Sequence, residues 1–452
     1  MSRLNHLIAA GATLLVAAFL AATPARAIDV VEVEAAGVKA WLASDAVVPV
    51  AAIAFRMEGG AAMDPPAVQG RARMLADLLT EGAGEYDDTA FKKRLADLSA
   101  SISFDATQDG ISGTLYTLSE NLLPAADLLG LALSAPRFDA AALERARAAQ
   151  IASLESAREQ PARRAYRAFL ETAFANHPYS RSVRGRVATL SDISADDLRA
   201  FREGSFGRDR LLVTAAGDID APRLAEAMRR AFGALPEQAS GAPADVGPVS
   251  LPQQSLRLLA AMPAAQSTIV FGGPGVPRAD PDWRAAALLT EIMGGGFGAR
   301  LMEEVREKRG LVYGINAGLT ELEAASLILG SASTNNSTVA ETVEVIEHEW
   351  RRMAEEGPTA TELADAKAYV IGSLPLALDS ASAIAGALLA LRYNDLPKDY
   401  LDRRAALLDA VTLDEAKQVA RRLFDPSRLV IAVAGAPEGL EAWQPVAVMD
   451  DD

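Results

Sequence analysis

One pattern occurs twice in this chain, and it constrains the fold more than any single residue. The run TLSDISADDLRAF from Thr189, followed by the apolar run from Arg210 to Gly217, is echoed by VTLDEAKQVA from Val411 and the apolar run from Arg428 to Gly435. Each copy reads as a helix opened by a Thr or Asp cap, a short turn, and a strand that ends at glycine. Two copies of one domain of about 200 residues account for the length of 452 better than one large fold. The stretch 235–254 (LPEQASGAPADVGPVSLPQQ) is rich in Pro, Gly, Ala and Ser without apolar periodicity, which marks a linker able to hinge between domains at 28–234 and 255–452. Val48 to Met57 and Ser267 to Phe271 read as strands, Ala141 to Ser156 and Asp282 to Met293 as helices. No regular βαβ alternation appears. The expected fold class is α+β: two similar domains, each a largely antiparallel sheet with helices packed on one face.

Residues 1–27 read as an export signal. Arg3 precedes the apolar run Leu7 to Ala22, and Ala25-Arg26-Ala27 offers a small-x-small cleavage site. The rival reading, a retained membrane anchor, needs ~20 apolar residues, and Gly11 and Thr13 interrupt a shorter run. The sequence thus predicts an exported protein, with a bacterial periplasm as its natural location and no stable membrane span afterwards. The absence of cysteine removes disulfides, thiolate nucleophiles and Cys-based metal sites together. A formal net charge of −16 argues against nucleic acid as a partner.

Histidines number three, His6, His177 and His348, and none has a second one at helical spacing, the usual start of a zinc site on a helix. His177, in His177-Pro178-Tyr179, reads as a residue that fixes a loop by hydrogen bonds. The glycine cluster Gly294-Gly295-Gly296-Phe297-Gly298 lacks the Lys-Ser/Thr ending of a phosphate loop and reads as a flexible turn. Arg300 to Arg309 then reads as a helix with Leu301 and Val305 on one face and Gly310 just past its end, and Leu311 to Gly318 as a strand. This brings Arg306 and Tyr313 to one helix-to-strand corner. On the residues alone, a solvated Arg and a half-buried Tyr are the favoured description.

These pieces resemble the pitrilysin/insulinase-type zinc peptidases, in the bipartite branch that includes mitochondrial processing peptidase. The matching segments are the strand Val50 to Met57, the His177-Pro178-Tyr179 loop, Leu211 to Gly217, and Gly294 to Tyr313. The resemblance implies that Gly70 to Leu79 stands where catalytic members carry His-x-x-Glu-His, with Arg73, Ala76 and Asp77 on the motif positions and the third ligand position near Gln150, or Glu155 beside it. No histidine stands at these positions, so no metal is expected in this chain. The resemblance further implies a non-catalytic subunit that shapes half of a clamshell and pairs with a homologous zinc-bearing subunit. Arg306 would bind a substrate carbonyl and Tyr313 would steady the oxyanion, with Gly294, Gly295, Gly296 and Phe297 in the chamber wall and unfolded peptide as substrate. The alternative is a non-enzymatic peptide-binding or structural protein of the same fold, like the core subunits of respiratory complexes.

Overall fold

The computed structural model describes residues 29–242 and 245–448, so the signal read over 1–27 lies outside the described residues. The N-terminal half holds strands β1 (Val30–Ala35), β2 (Val38–Ser44), β3 (Val50–Glu58), β4 (Ser101–Ala106), β5 (Gly110–Leu118) and β6 (Leu211–Gly217). The C-terminal half holds β7 (Leu256–Ala261), β8 (Gln266–Pro274), β9 (Val312–Leu322), β10 (Ala325–Asn335), β11 (Val430–Gly435) and β12 (Gln444–Pro445). The two sheets run β1-β2-β6-β3-β5-β4 and β12-β7-β11-β8-β10-β9. The repeat seen in sequence is therefore a repeat of topology. In each sheet the strand ending at glycine lies third, antiparallel to its long central neighbour (β3 or β8) and parallel to the strand on its other side (β2 or β7). That parallel pairing makes the sheets mixed.

Gly217 and Gly435 do the same job. Their φ angles are 111° and 142°, and a Cβ on either would fall 2.2 Å from an atom at the start of the neighbouring central strand, Val50 O in one half and Ser267 Oγ in the other. Only glycine lets the chain leave the sheet there.

Each half lays its own helices on one face of its sheet, as expected. The opposite face is covered by a helix from the other half. Helix Pro161–Ala173 puts Ala165, Ala168, Phe169 and Ala173, a 3–4-spaced apolar face, against Leu258, Val270, Val430 and Ala432 of the C-terminal sheet. Helix Ala381–Tyr393 returns the favour, with Ala385, Leu388 and Leu391 on Ala52, Ala54 and Ala216. Polar fastenings fix this second contact: Thr214 Oγ1 donates to the Ala385 carbonyl at 2.7 Å, and Arg392 donates to the carbonyls of Lys39 and Val213. The central strands read as unbroken apolar runs, such as Val430 to Gly435 with every residue buried, because both of their faces are covered.

The linker does not hang free. Backbone amides of Arg208 and Asp209 donate to Pro236 and Glu237, Arg210 donates to the Gly241 and Ala242 carbonyls, and Val249 and Leu251 pack on the cluster between the halves. A buried clasp adds to this. The Tyr179 hydroxyl donates to Asp109, and the two groups accept the backbone amides of Ala324 (3.1 Å) and Glu323 (3.0 Å) at the tip of the β9–β10 hairpin. The expected hinge between halves is thus bolted from several sides. His177 supports the clasp: its Nδ1 accepts the Tyr179 amide at 3.2 Å, and its Nε2 lies 3.3 Å from the Gly247 carbonyl oxygen.

Candidate functional site

The degenerate motif sits on helix Arg71–Leu78. Asp64, upstream of that helix and 1% exposed, anchors its start by accepting the amides of Gly70 and Ala72 and the Arg71 guanidinium, each at 3.2 Å. Burial pushes the Asp64 carboxyl up to about 6, against the pull of those donors. A raised carboxyl binds its proton in the folded state while the unfolded chain has already lost it. The stability it supplies is present in full below the ordinary value of 3.8 and is lost as pH rises through about 6. Asp64→Asn is expected to flatten the fall in urea midpoint between about pH 4 and 6, measured against the unaltered chain.

Arg73, Asp77 and Gln150 meet around one open groove of about 510 Å³ between this helix and helix Ala140–Arg158. Arg73 grips Asp77 through Nε–Oδ2 (3.1 Å) and Nη2–Oδ1 (2.8 Å), and reaches Asp105 on β4 at 2.7 Å. The i,i+4 spacing of Arg73 and Asp77 lets this ion pair form along the helix, and Asp105 extends it to the sheet. Burial raises the Asp77 carboxyl, with Arg73 opposing. Ala76 is 2% exposed and offers the groove nothing to act as a base. Gln150 is buried and faces this helix, whereas Glu155 is exposed. Gln150 Nε2 donates to the Arg184 carbonyl at 2.7 Å.

These groups do not fit zinc. A guanidinium locked between two carboxylates brings positive charge to the place where a divalent cation would need ligands, and the neighbouring Gln150 offers only a neutral amide. Among the described residues no three His, Cys, Asp or Glu side chains gather in a metal-holding group. Zinc or a chelator is accordingly expected to leave the thermal midpoint of the isolated chain unmoved; a zinc-dependent rise in calorimetry would contradict this assignment.

The second constellation lies at the far end of the C-terminal half. Helix Trp283–Gly294 delivers the glycine turn, and the next segment, expected as an α-helix, is a π-helix over Met302–Glu307. The Lys308 amide bonds the Glu303 carbonyl five residues back, and Leu311 bonds Val305. Leu301 and Val305 are buried together as expected, because their spacing of four suits the wider turn nearly as well as the α turn. Gly310 ends the segment with φ +63°. At its start Arg300, 6% exposed, forms a forked ion pair with Glu362 (2.6 and 2.8 Å) and donates to the Gly357 carbonyl at 2.8 Å. Short π segments recur at functional sites.

Beyond Gly310 the edge strand β9 presents Tyr313, 87% exposed. Tyr313, the turn Gly294–Phe297 and Met302 line one groove of about 580 Å³. Phe297 is 80% exposed, and the Arg306 guanidinium lies over its ring, 5.6 Å from the centroid. Arg306 and Tyr313 are thus gathered around Phe297. The rest of the lining, which includes Gln266, Asn316, Ser331 and Ser333, carries no formal charge. Sequence reading missed these four polar residues; the alternation of Ser331 and Ser333 along β10 was the available signal.

Comparison with known proteins agrees with this division. Residues 39–186 match the family described as insulinase (peptidase family M16), and residues 192–370 match the peptidase M16 inactive domain. A non-peptidase homologue, YmxG, of Helicobacter pylori is 24% identical over 93% of this chain and 97% of its own length. The beta subunit of the mitochondrial processing peptidase of Blastocladiella emersonii is 23% identical, covering 86% of this chain and 85% of its own. The crystal structure of a peptidase M16 inactive domain from Pseudomonas fluorescens superposes with a TM-score of 0.85 at 26% identity, covering 92% of this chain and 99% of that one. With two repeated domains of this topology, the chain belongs to the M16 insulinase family as a non-catalytic member.

Proposed function

We propose that this chain is the non-catalytic subunit of an exported heterodimeric zinc endopeptidase that acts on unfolded peptides. The observation that carries the proposal is the pair of exposed aromatics, Tyr313 and Phe297, on a groove of uncharged lining beside an edge strand, with Arg306 over the Phe297 ring. Large aromatic side chains left this open are the kind that a partner or ligand covers. The partner is a homologous subunit with an intact zinc motif, and the leader read over 1–27 directs the chain out of the cytoplasm.

In the closed pair, an extended peptide lies along the edge of β9, whose free backbone groups add it as a further strand. Arg306 donates to a backbone carbonyl of the substrate. Tyr313 donates to the oxygen of the scissile amide as negative charge builds on it, and a donor placed beforehand needs no reorganisation at that moment. This chain supplies no metal ligand and no base; those belong to the partner.

Reconstitution tests the reading. The chain alone should cleave no peptide, and a mixture with an exported homologue bearing His-x-x-Glu-His should form a stable complex and cleave unfolded peptides. Failure of every such homologue encoded beside this chain to bind it would favour a protein that has left proteolysis behind.

A further inference from the structure

Four cations line the groove left by the degenerate motif, and three are already matched. Arg73 is held by Asp77 and Asp105, Lys92 by Glu81, and Arg145 by Asp88 and Glu81. Arg184 is the exception. Its Nη1 donates to Ser153 Oγ at 3.1 Å, and among the described residues it makes no ion pair. Burial, with Arg163 and Arg73 nearby, works against its charge, and the more distant carboxylates of Asp77 and Asp105 offset this only in part. An anion beside it would relieve both effects.

A second observation concerns Gln150, which is 6% exposed. Donation from its Nε2 to the Arg184 carbonyl sets the orientation of the amide, and Oε1 is then left buried without a hydrogen-bond partner. A buried acceptor in that state calls for an N–H donor. Gln150 and Ser153 are three apart on one helix, so the Gln150 amide and the Ser153-bound guanidinium of Arg184 stand on the same face. The complementary ligand carries a carboxylate and an N–H on one residue, as the end of a peptide does. Asp77 and Glu81 on the same walls disfavour a dianion such as phosphate.

The geometry points to a second peptide site in the N-terminal half: this groove binds the free C-terminus of a short peptide, its carboxylate on Arg184 and its last amide N–H on Gln150. A guanidinium takes a carboxylate in a two-pronged fashion, which makes the contact selective for the ionised terminus. The volume of about 510 Å³ accommodates two or three residues. None of these groups takes part in the chemistry proposed around Tyr313, so the site belongs to the chain by itself.

Calorimetric titration of the isolated chain with N-acetyl-trialanine and with its C-terminal amide tests the proposal without a partner. The acid is expected to bind, with the amide at least tenfold weaker. Arg184→Gln and Gln150→Glu should each weaken the acid at least tenfold, the second by bringing a carboxylate against a carboxylate. Circular dichroism checks that both variants remain folded. Equal binding of acid and amide by the unaltered chain, or no binding of either, overturns the proposal whatever the variants do. So does undiminished affinity in folded Arg184→Gln, or displacement of the peptide by an equal concentration of inorganic phosphate.

Discussion

Replacing Tyr313 by Phe in the reconstituted complex is expected to lower kcat by about 10²- to 10³-fold, or about 3–4 kcal/mol of transition-state stabilisation, with KM and assembly unchanged. The substitution removes one oxygen and keeps the ring. Because Tyr313 is 87% exposed and follows the π segment on an edge strand, the fold of the free chain loses nothing with that oxygen. A loss confined to kcat would mark an interaction made only as charge develops on the substrate. A rise in KM with kcat preserved would instead make the hydroxyl a ground-state contact. Unchanged kinetics, with the complex still formed on gel filtration, would remove Tyr313 from the chemistry.

Glu362→Ala is expected to be the most damaging change to stability. Glu362 closes a capping box with Thr359 at the head of helix Ala360–Gly372 and at the same time holds both prongs of the buried Arg300. Removing it strands a cation that is 6% exposed, and a buried charge without its partner costs about 3–5 kcal/mol. Urea denaturation should therefore show a much lower midpoint at an unchanged slope. Arg300→Met in the same chain should recover part of the loss by removing the stranded charge, which a simple loss of helix capping would not predict. Burial acts to raise the Glu362 carboxyl, but the Arg300 fork and the Thr359 amide outweigh it and hold it at about 2. For a lowered carboxyl the stability is present above the ordinary value of 4.5 and is lost as pH falls from there toward 2. Acid sensitivity in that window should be blunted in Glu362→Ala.

The sequence was most legible where short-range pattern and covalent geometry decide the outcome. The ends of β6 and β11 could be read to the residue because Gly217 and Gly435 occupy backbone conformations closed to other side chains. Arg73 and Asp77 pair because a spacing of four on a helix sets opposite charges on one face, a relation legible in the sequence. What local pattern cannot carry is the choice of partner surface. The apolar face of Pro161–Ala173 announces that it will be buried, yet nothing within it says that the burying sheet lies in the other half. The same holds for the hinge expected at 235–254: its composition describes a free connector, while the amides of Arg208 and Asp209 and the guanidinium of Arg210 donate to its carbonyls and tie it down. The π turn at Met302–Glu307 escaped because Leu301 and Val305 keep one face in either kind of helix. Gln150 was placed only through the resemblance, and its orphaned oxygen emerges from the three-dimensional packing alone.

The exchanged helices bear on how such a chain could have arisen. A half-length ancestor, with one sheet and one outreaching helix, would have left an apolar sheet face bare on its own, and two identical copies could have covered both faces by trading arms about a twofold axis. Joining the two genes would have turned that intermolecular embrace into an intramolecular one, freeing each arm and pocket to drift. The exposed Arg306–Phe297 contact in one repeat and the Arg73–Asp77 ion pair in the other show how far the two halves now differ.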